Sequence, residues 1–475
     1  MIGNPCCSSP APASPSGTTR GERGEIWPYA GKPVAISGAV NGRLWGACHG
    51  RRQVTEEIAD CFERREPRAV VREMTEAMLM ELDTRNCWTL AEALGHRGPH
   101  RLQHLLSRAA VDHDLARDRI ATWAAGELAD PDAVLIVDET GDEKSSTDCV
   151  GAARQYSGAL GGIGLCQVAV HLTYASRHGH APIDRALYLG AEWAADEERR
   201  LLTHVPDDVV FATKPQLAGA LLARTRDLGI KARWLAGDEV YGGKELRRTA
   251  RALGFDYALA VRTDHRVDTA VGRLTVTQLA ARVPKKNWMR LRTGHGLKGD
   301  RHYDWAMLGI HPDDTPDGHR PGHAAVLVRR HRYTGELSFY RCHSATPVTL
   351  ADLVDVVCCR WRVEEDFQTA KGVCGLDQGQ TTCWNSWMRW TLISMLAAAV
   401  LAVTRARTTT AATPGSELVP PSGRELLRLL RITALPRPRR DRDHYLHWSA
   451  WRRHHQHQAA EAHRRWNNIT APATT

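Results

Sequence analysis

The spacing of apolar residues changes along the chain, and each spacing predicts a different kind of element. Through residues 54–128 apolar side chains recur at steps of three and four, the period of amphipathic helices. Through residues 133–261 short unbroken apolar runs, typical of strands buried on both faces, alternate with helical segments. A second helical block occupies residues 350–404. The chain is therefore predicted to be α/β, with an all-helical domain on its N-terminal side.

The order of elements in the central block predicts a mixed sheet. The first three apolar runs follow one another through short connections, so we expect them to pair as an antiparallel meander. The later runs alternate with helices and are expected to extend the same sheet in parallel fashion. Such a sheet, flanked by helices, is the outline of a ribonuclease-H-like domain. The predicted strands are 133–137, 166–174, 186–189, 233–236 and 257–261, and the helices are 216–228 and 243–253.

Composition breaks divide the chain into six predicted segments. The stretch after 263 carries short strands, such as 288–292 and 324–329, between Gly and Pro turns, which favours an inserted β-rich subdomain. The segments are a poorly ordered extension at 1–53, a helical DNA-binding domain at 54–130, the first part of the ribonuclease-H-like core at 131–263, the insertion at 264–346, the second part of the core at 347–405, and a linker with a basic tail at 406–475.

Two short helices near the start of the chain resemble a helix-turn-helix. A capping box at residues 89–92 is expected to open the first helix, which stops at Gly95, and a second helix is expected at 101–110. In that arrangement Arg101 and Arg108 would contact DNA. An ordinary helical hairpin with no DNA role explains the same pattern.

The charge of the chain favours a polyanionic partner. The formal net charge is +9 and the pI is about 9.0, which suits DNA, RNA or an anionic membrane. Between residues 424 and 466 eleven arginines stand against four acidic residues, a net charge of +7, with Tyr445, Trp448, Trp451 and Trp466 among them. This basic tail is either a phosphate-contacting segment or a solvated surface.

Several classes of protein are excluded by missing patterns. The twelve cysteines contain no C-x-x-C pair, so neither a zinc ribbon nor a disulfide framework is expected. Residues 1–20 lack the apolar core of a secretory signal, and the longest apolar stretch, 392–403, is short for a bilayer and is expected to be a buried helix. A P-loop motif is absent, which argues against a nucleotide cofactor. We therefore expect a cytoplasmic protein that neither enters a membrane nor uses a nucleotide.

Three acidic residues stand where a metal site could form. Asp138 and Asp238 each end a predicted strand, and Glu364 lies on a predicted helix. Two divalent ions roughly 3.5–4 Å apart can activate a water and stabilise the leaving oxygen of a phosphodiester, and Mg²⁺ prefers carboxylate oxygens. Glu139 and Glu239 directly follow the two aspartates, and neighbours on extended backbone point to opposite faces. The spacing alone leaves open which member of each pair faces the site.

The glutamate helix places two cations beside its carboxylate. At about 100° per residue, Arg360, Glu364 and Lys371 fall within roughly 60° of one another on one helix face. This face suits a metal ligand flanked by phosphate-binding groups, and it equally suits an ordinary salt-bridged helix surface.

Four ordered motifs resemble bacterial insertion-sequence transposases of the DDE class. They are V-D-E-T-G at 137–141, G-A-A-R-Q-Y-S-G at 151–158, G-D-E-V-Y-G at 237–242 and R-V-E-E-D-F-Q-T-A-K-G at 362–372, and the resemblance runs from about residue 54 to 405. It implies a ribonuclease-H-like core in which Asp138, Asp238 and Glu364 form the catalytic triad and hold two Mg²⁺ or Mn²⁺ ions.

The resemblance also implies DNA contacts. Related elements carry a Tyr-x2-Arg-x3-Glu-x6-Lys motif, which Arg360, Glu364 and Lys371 match, whereas Val357 stands at the tyrosine position. In the family that tyrosine helps to bind the phosphate at the transposon end. Its replacement by valine leaves open how the second strand is cut. Basic and aromatic residues of the insertion could contact phosphates and bases, or form a solvated hairpin around core tryptophans. The predicted DNA contacts are Arg360, Lys371, Arg154, Lys144, Trp288, Lys298, Arg101 and Arg108.

The sequence thus predicts a transposase that cuts DNA at the terminal inverted repeats of its element and joins the ends to target DNA. A homo-oligomer assembled on DNA in the nucleoid of a bacterial cytoplasm is expected, because two ends must be held together. Two alternatives remain: a DNA-binding relic without catalysis, and a ribonuclease-H-like nuclease without strand transfer.

Overall fold

The structure is a computed structural model that describes residues 53–296, 299–410 and 421–470. The extension predicted at 1–53 lies outside these residues except for its last position, and Lys298 lies outside them as well.

Helices make up both ends of the described chain, and strands fill its centre. The helices are α1 Arg65–Leu79, α2 Cys87–Ala93, α3 His100–Ser107, α4 His113–Glu127, α5 Ala191–Ala195, α6 Glu197–Thr203, α7 Lys214–Asp227, α8 Lys244–Ala252, α9 Val276–Ala281, α10 Leu350–Cys359, α11 Trp361–Gly372, α12 Trp384–Thr410, α13 Gly423–Thr433 and α14 Arg442–Thr470. The strands are β1 Val134–Glu143, β2 Ala153–Ser157, β3 Gly162–Ser176, β4 Gly179–Tyr188, β5 Trp234–Gly237, β6 Asp256–Val261, β7 Arg266–Thr269, β8 Gly272–Thr275, β9 Met289–Gly296, β10 Gly299–Gly309, β11 His323–Arg330 and β12 Leu337–Ser344.

A single 10-stranded sheet organises the molecule, in the order β2-β3-β1-β5-β6-β12-β11-β10-β9 with β4 also paired to β3. The pairs β1–β3 and β3–β4 are antiparallel, whereas β1–β5 and β5–β6 are parallel. The predicted α/β class and the meander followed by parallel strands are confirmed. The short strand β2 was not predicted, because its five residues lack an apolar run.

The insertion is rich in strands, as predicted: it carries β7 to β12, and β9 to β12 continue the core sheet. The last strand of the insertion, β12, pairs antiparallel with β6, with Phe339 opposite Val261, and β11, β10 and β9 follow outward. The apolar residues of β11 are buried on both faces, Val326 against α9 and Leu327 against α10. Pairing between two strands that lie this far apart in the chain, such as β6 and β12, leaves no periodic signal in the sequence.

Alternation along β1 separates two cores. Leu135 and Val137 belong to a large apolar cluster that includes α7 and α8, whereas Val134 and Ile136 belong to a second cluster with α10. The large cluster also takes in the N-terminal helices and α12, so the helical region shares its core with the sheet.

The apolar stretch at 392–403 lies within α12, which is much longer than that stretch. By length and composition α12 could cross a membrane, but 94% of its apolar window is buried inside the protein. It packs against β4, α1 and α4, as expected of a core helix.

The predicted basic tail contains a helix that packs on the helical domain. Trp448 of α14 is fully buried, and its indole Nε1 donates to the His96 carbonyl at 2.9 Å, in the turn between α2 and α3. Trp451 packs edge-on against Trp88 of α2. These tryptophans therefore stabilise the helical pair, and Trp448 is a core residue rather than part of a solvated surface. The cap of α2 also differs from the prediction: Asn86 is the N-cap, and Thr89 is the third helical residue of the capping box.

We predict that Trp448→Ala destabilises the protein by about 3–5 kcal/mol, because it leaves a large cavity and an unpaired carbonyl at His96. Tyr445→Ala, on the same helix but 51% exposed, is the matched control and should change the free energy of unfolding by less than about 0.5 kcal/mol. Chemical denaturation followed by circular dichroism measures both. Equal small effects would contradict the packing role of α14.

Candidate active site

Parallel pairing brings the two aspartates side by side. In the register of β1 and β5, Val137 lies opposite Gly237, so Asp138 and Asp238 are the next residues on neighbouring strands. Adjacent strands are about 4.8 Å apart, and the carboxyl ends of parallel strands share one edge of the sheet. The spacing between the two backbones is therefore set by hydrogen bonds of the sheet.

The pleat decides which acid of the first pair faces the glutamate helix. Asp138 follows the alternation of Val134 and Ile136 and lies on the face covered by α10 and α11. Glu139 lies on the opposite face, where it contacts Lys214 and Tyr241. At the end of β5, Asp238 is half-buried and Glu239 is exposed. The structure thus orients Asp138 into the site, a choice that the sequence spacing left open.

Glu364 reaches the same place through the break between α10 and α11. Arg360 occupies that break with helical backbone angles, and its Nη1 lies 3.2 Å from Asp138 Oδ2 and 4.0 Å from Glu364 Oε1. The predicted common face of Arg360 and Glu364 is therefore present. One guanidinium lies next to carboxylates from β1 and from α11.

The electrostatics of Asp138 report the convergence of all three acids. Burial, followed by the charge of Asp238 and to a smaller extent that of Glu364, raises the pKa of Asp138 to about 7 against the opposing charge of Arg360. The pKa of Asp238 is also raised, chiefly by burial. A carboxyl group responds this way when like charges are held near it with little water.

The three acids are of the donor type that a hard divalent cation prefers. Each aspartate uses one oxygen locally: Asp138 Oδ1 accepts from the Glu139 backbone N–H at 2.8 Å, and Asp238 Oδ1 accepts from Val240 N–H at 2.9 Å. Carboxylate oxygens are the ligands that Mg²⁺ and Mn²⁺ prefer. Within the described ranges no three acidic, histidine or cysteine side chains lie close enough together to ligate one ion. Arg360 takes the place beside Asp138, so a metal would have to displace its guanidinium.

Asp366 holds the glutamate helix on the sheet. Its Oδ2 accepts from the Thr173 hydroxyl at 2.9 Å, and its Oδ1 lies 2.8 Å from His180 Nδ1. Burial by itself lowers the pKa of His180, but Asp366 and Glu365 outweigh burial and raise that pKa to about 9. The imidazole is therefore cationic at neutral pH. Sequence analysis assigned Asp366 no role. Its position two residues after Glu364, turned toward the sheet, was the available signal.

Lys371 is engaged by β1 in this structure. Its Nζ lies 2.7 Å from Asp142 Oδ1 and donates to the Gly141 carbonyl at 2.9 Å. Asp142 is buried, a feature that the sequence analysis missed because the residue follows the strand predicted to end at Val137. A phosphate contact of Lys371, as predicted, requires that this ion pair open.

The other predicted DNA contacts are scattered. Lys144 is 5% exposed and donates to the Gly379 carbonyl at 2.9 Å, so it is a structural residue and the surface contact predicted for it is wrong. Trp288 is half-buried, with the Arg330 guanidinium 4.0 Å above its ring, so it is not a free stacking surface. Arg154 is exposed on β2, Arg101 is exposed on α3, and Arg108 is exposed at the C-cap of α3.

Known families match most of the described chain. The family described as "DDE superfamily endonuclease" matches residues 57–286, and the family described as "Transposase DDE domain" matches residues 212–400. The chain belongs to the DDE class of transposases. Membership of this class implies use of a divalent metal. Of the predicted triad, Asp238 is the residue that lies within both family matches.

One curated relative of this DDE-class chain is a "Probable transposase for insertion sequence element IS701" from Microchaete diplosiphon. It is 26% identical over 183 residues, which is 38% of this chain and 45% of that protein. The chain thus matches less than half of the relative's length. A solved structure, the piggyBac transposase synaptic complex with hairpin DNA, covers 85% of this chain and 74% of its own at 10% identity and a TM-score of 0.35, a similarity too low to support a conclusion.

We predict that Asp138→Asn stabilises the metal-free protein above pH 7. The folded-state pKa of about 7 exceeds the usual value of 3.8, so the folded state loses stability as pH rises through that interval. Asparagine removes this cost, on the order of 1–3 kcal/mol, and the gain should vanish near pH 4. Thermal unfolding in EDTA at several pH values measures the difference. Glu239→Gln is the control, and an equal gain for both variants would contradict the explanation.

Proposed function

We propose that this DDE-class chain is a transposase that cuts DNA at the ends of its element and joins those ends to target DNA. The observation that carries the proposal is the convergence of Asp138, Asp238 and Glu364 beside Arg360 at one edge of the sheet. Carboxylates on two rigid strands and a packed helix suit a phosphodiester site, because the separation of the ligands stays fixed while DNA moves.

Asp138, Asp238 and Glu364 would hold Mg²⁺ or Mn²⁺, as a pair of ions. When bound, the metal supplies a water of lowered pKa and charge stabilisation on the leaving oxygen. The three carboxylates set where the cations lie, and the backbone bonds to Asp138 and Asp238 fix which oxygen each one offers.

Arg360 gains a second role when a cation enters. Its guanidinium neutralises Asp138 at 3.2 Å in the metal-free arrangement, and a divalent ion would compete for the same oxygen. Once displaced, the guanidinium remains on the site face of α11 and is free to bind a DNA phosphate in bidentate fashion. Lys371, about three helical turns after Arg360, would bind a phosphate after leaving Asp142.

The helical domain would bind the terminal inverted repeats. Arg101 lies exposed in the first turn of α3, and Arg108 lies exposed at its C-cap, seven residues further along the chain. The net charge of +9 supports binding to both element and target DNA. Because two ends must be joined together, we propose a homo-oligomer on DNA, acting in the bacterial cytoplasm at the nucleoid.

Replacing any one of Asp138, Asp238 and Glu364 by alanine should lower Mg²⁺-dependent cleavage of terminal-repeat DNA on the order of 10³-fold or more, because a metal ligand is lost. Affinity for the same DNA should stay within about two-fold, because the phosphate-binding cations remain. Glu239→Ala, an exposed neighbour of Asp238, is the control and should cut normally. End-labelled cleavage, strand-transfer and gel-shift assays separate the readouts.

The same assays distinguish the alternatives. Normal cutting by Asp238→Ala would contradict the triad. A wild-type protein that shifts DNA but leaves it uncut in Mn²⁺ would be a binding relic, and one that cuts without joining would be a nuclease.

We also predict that the double variant Arg101→Ala, Arg108→Ala weakens binding to terminal-repeat DNA and flattens its salt dependence. Each lost phosphate contact removes about 0.9 from the slope of log affinity against log salt, so the slope should fall by roughly 2. Arg65→Ala, exposed at the start of α1, is the control with no expected change. An unchanged slope in the double variant would show that these two arginines do not contact DNA phosphates.

A further inference from the structure

The face of the sheet behind the two aspartates carries a buried polar contact. The Tyr241 hydroxyl donates to Glu139 Oε2 at 2.5 Å, and Lys214 Nζ lies 2.7 Å from Glu139 Oε1. Tyr241 is fully buried, and the side chains of Glu139 and Lys214 are 19% and 22% exposed. Both oxygens of this carboxylate are therefore engaged on the side of the sheet away from α11.

This contact joins the two segments that deliver the metal ligands. Glu139 is the residue after Asp138 on β1. Tyr241 closes the turn after Asp238, because its backbone N–H donates to the Asp238 carbonyl at 3.2 Å. A bond between Glu139 and Tyr241 therefore couples the positions of Asp138 and Asp238 beyond the last sheet pairing, Val137 opposite Gly237.

The turn has little freedom of its own. A Cβ added at Gly242 would lie 2.3 Å from the Ala260 carbonyl oxygen, so the backbone there is pressed against β6. Only glycine permits that approach. One end of the turn is thus fixed on β6, and the Tyr241 side chain links the turn to Glu139 on β1.

We propose that Glu139 and Tyr241 are positioning residues that set the distance between Asp138 and Asp238 for divalent-metal binding. The inference rests on the proposed function, since it assumes that these aspartates ligate the metal. Hydrogen bonds behind metal ligands typically change metal affinity by about 10- to 100-fold.

The chemistry of the contact favours this role over a purely structural one. A fourth carboxylate near three others is unfavourable, and Glu139 lies directly after Asp138 on β1. An uncharged residue would fill the space without that repulsion. The pKa of Tyr241 is raised by burial and then by Glu139, so its hydroxyl stays protonated and remains a donor.

Direct titration with Mn²⁺ alone tests the proposal. Glu139→Gln and Tyr241→Phe should each weaken Mn²⁺ binding about 10-fold, as measured by calorimetry or Mn²⁺ electron paramagnetic resonance. Tyr241→Phe keeps the packed ring, so it tests the hydrogen bond even if Glu139→Gln lowers stability. Glu239→Gln removes the same charge beside Asp238 from an exposed position and should bind Mn²⁺ like the wild type.

Two further measurements separate positioning from ligation. Cleavage by both variants should return to within about two-fold of wild type at saturating Mn²⁺, because the ligands themselves are intact. The double variant should bind Mn²⁺ no more weakly than the weaker single variant, since Glu139→Gln weakens and Tyr241→Phe removes the same bond.

Wild-type Mn²⁺ affinity in Tyr241→Phe would overturn the proposal, as would additive losses in the double variant. Cleavage by Glu139→Gln that is abolished at every Mn²⁺ concentration would also overturn it, because Glu139 would then be a ligand or a catalytic group. The Mn²⁺ titrations need no DNA, so they test the positioning role independently of cleavage. A wild type that binds Mn²⁺ through Asp138 yet fails to cut DNA would contradict the proposed function. The positioning role would still be tested by the Mn²⁺ affinities of the variants.

Discussion

The parallel pairing of β1 with β5 is the constraint on which the site depends. Four residue pairs, from Val134 with Trp234 to Val137 with Gly237, fix the register, and a slip by one residue would turn Asp138 to the opposite face. Apolar burial on both faces of β1 makes such a slip costly, because Leu135 and Val137 occupy one core and Val134 and Ile136 the other. The position of the acids is thus set by the packing of the strand that precedes them.

A cluster of acids on a rigid edge repels itself, and the protein offsets that repulsion with cations and hydrogen bonds. Arg360 lies in front of Asp138, Lys214 behind Glu139, and His180 beside Asp366. These contacts differ in exposure. The side chains of Asp366 and His180 are 7% and 15% exposed, whereas the Arg360 side chain is 27% exposed at a helix break. Arg360 is therefore the group best placed to yield to an incoming cation.

Much of the fold could be predicted from the sequence because its signals are local. The apolar runs before Asp138 and Asp238 marked two core strands, and the periodicity around Glu364 marked its helix. The pairing of β12 with β6 and the docking of Trp448 on the α2–α3 turn join residues far apart in the chain, which no local pattern encodes. The convergence of the three acids was predicted through family resemblance. The residues that contact the elements carrying these acids, Tyr241 and Asp366, were not predicted. Their contacts depend on which face of the strand or helix each side chain occupies.

The burial of Lys144 and the pairing of Lys371 show why basic residues near an acidic site are poor evidence for DNA contact by themselves. Asp142 is buried on the same face of β1 as Asp138, and its carboxylate needs cations whatever the protein binds. Lys371 serves it directly, and Lys144 stabilises its charge while capping the carbonyls of 377 and 379. Of the two lysines, only the more exposed one can leave the Asp142 carboxylate and bind a phosphate at a low cost in free energy. Lys371, with 19% of its side chain accessible, meets that condition, and Lys144 does not.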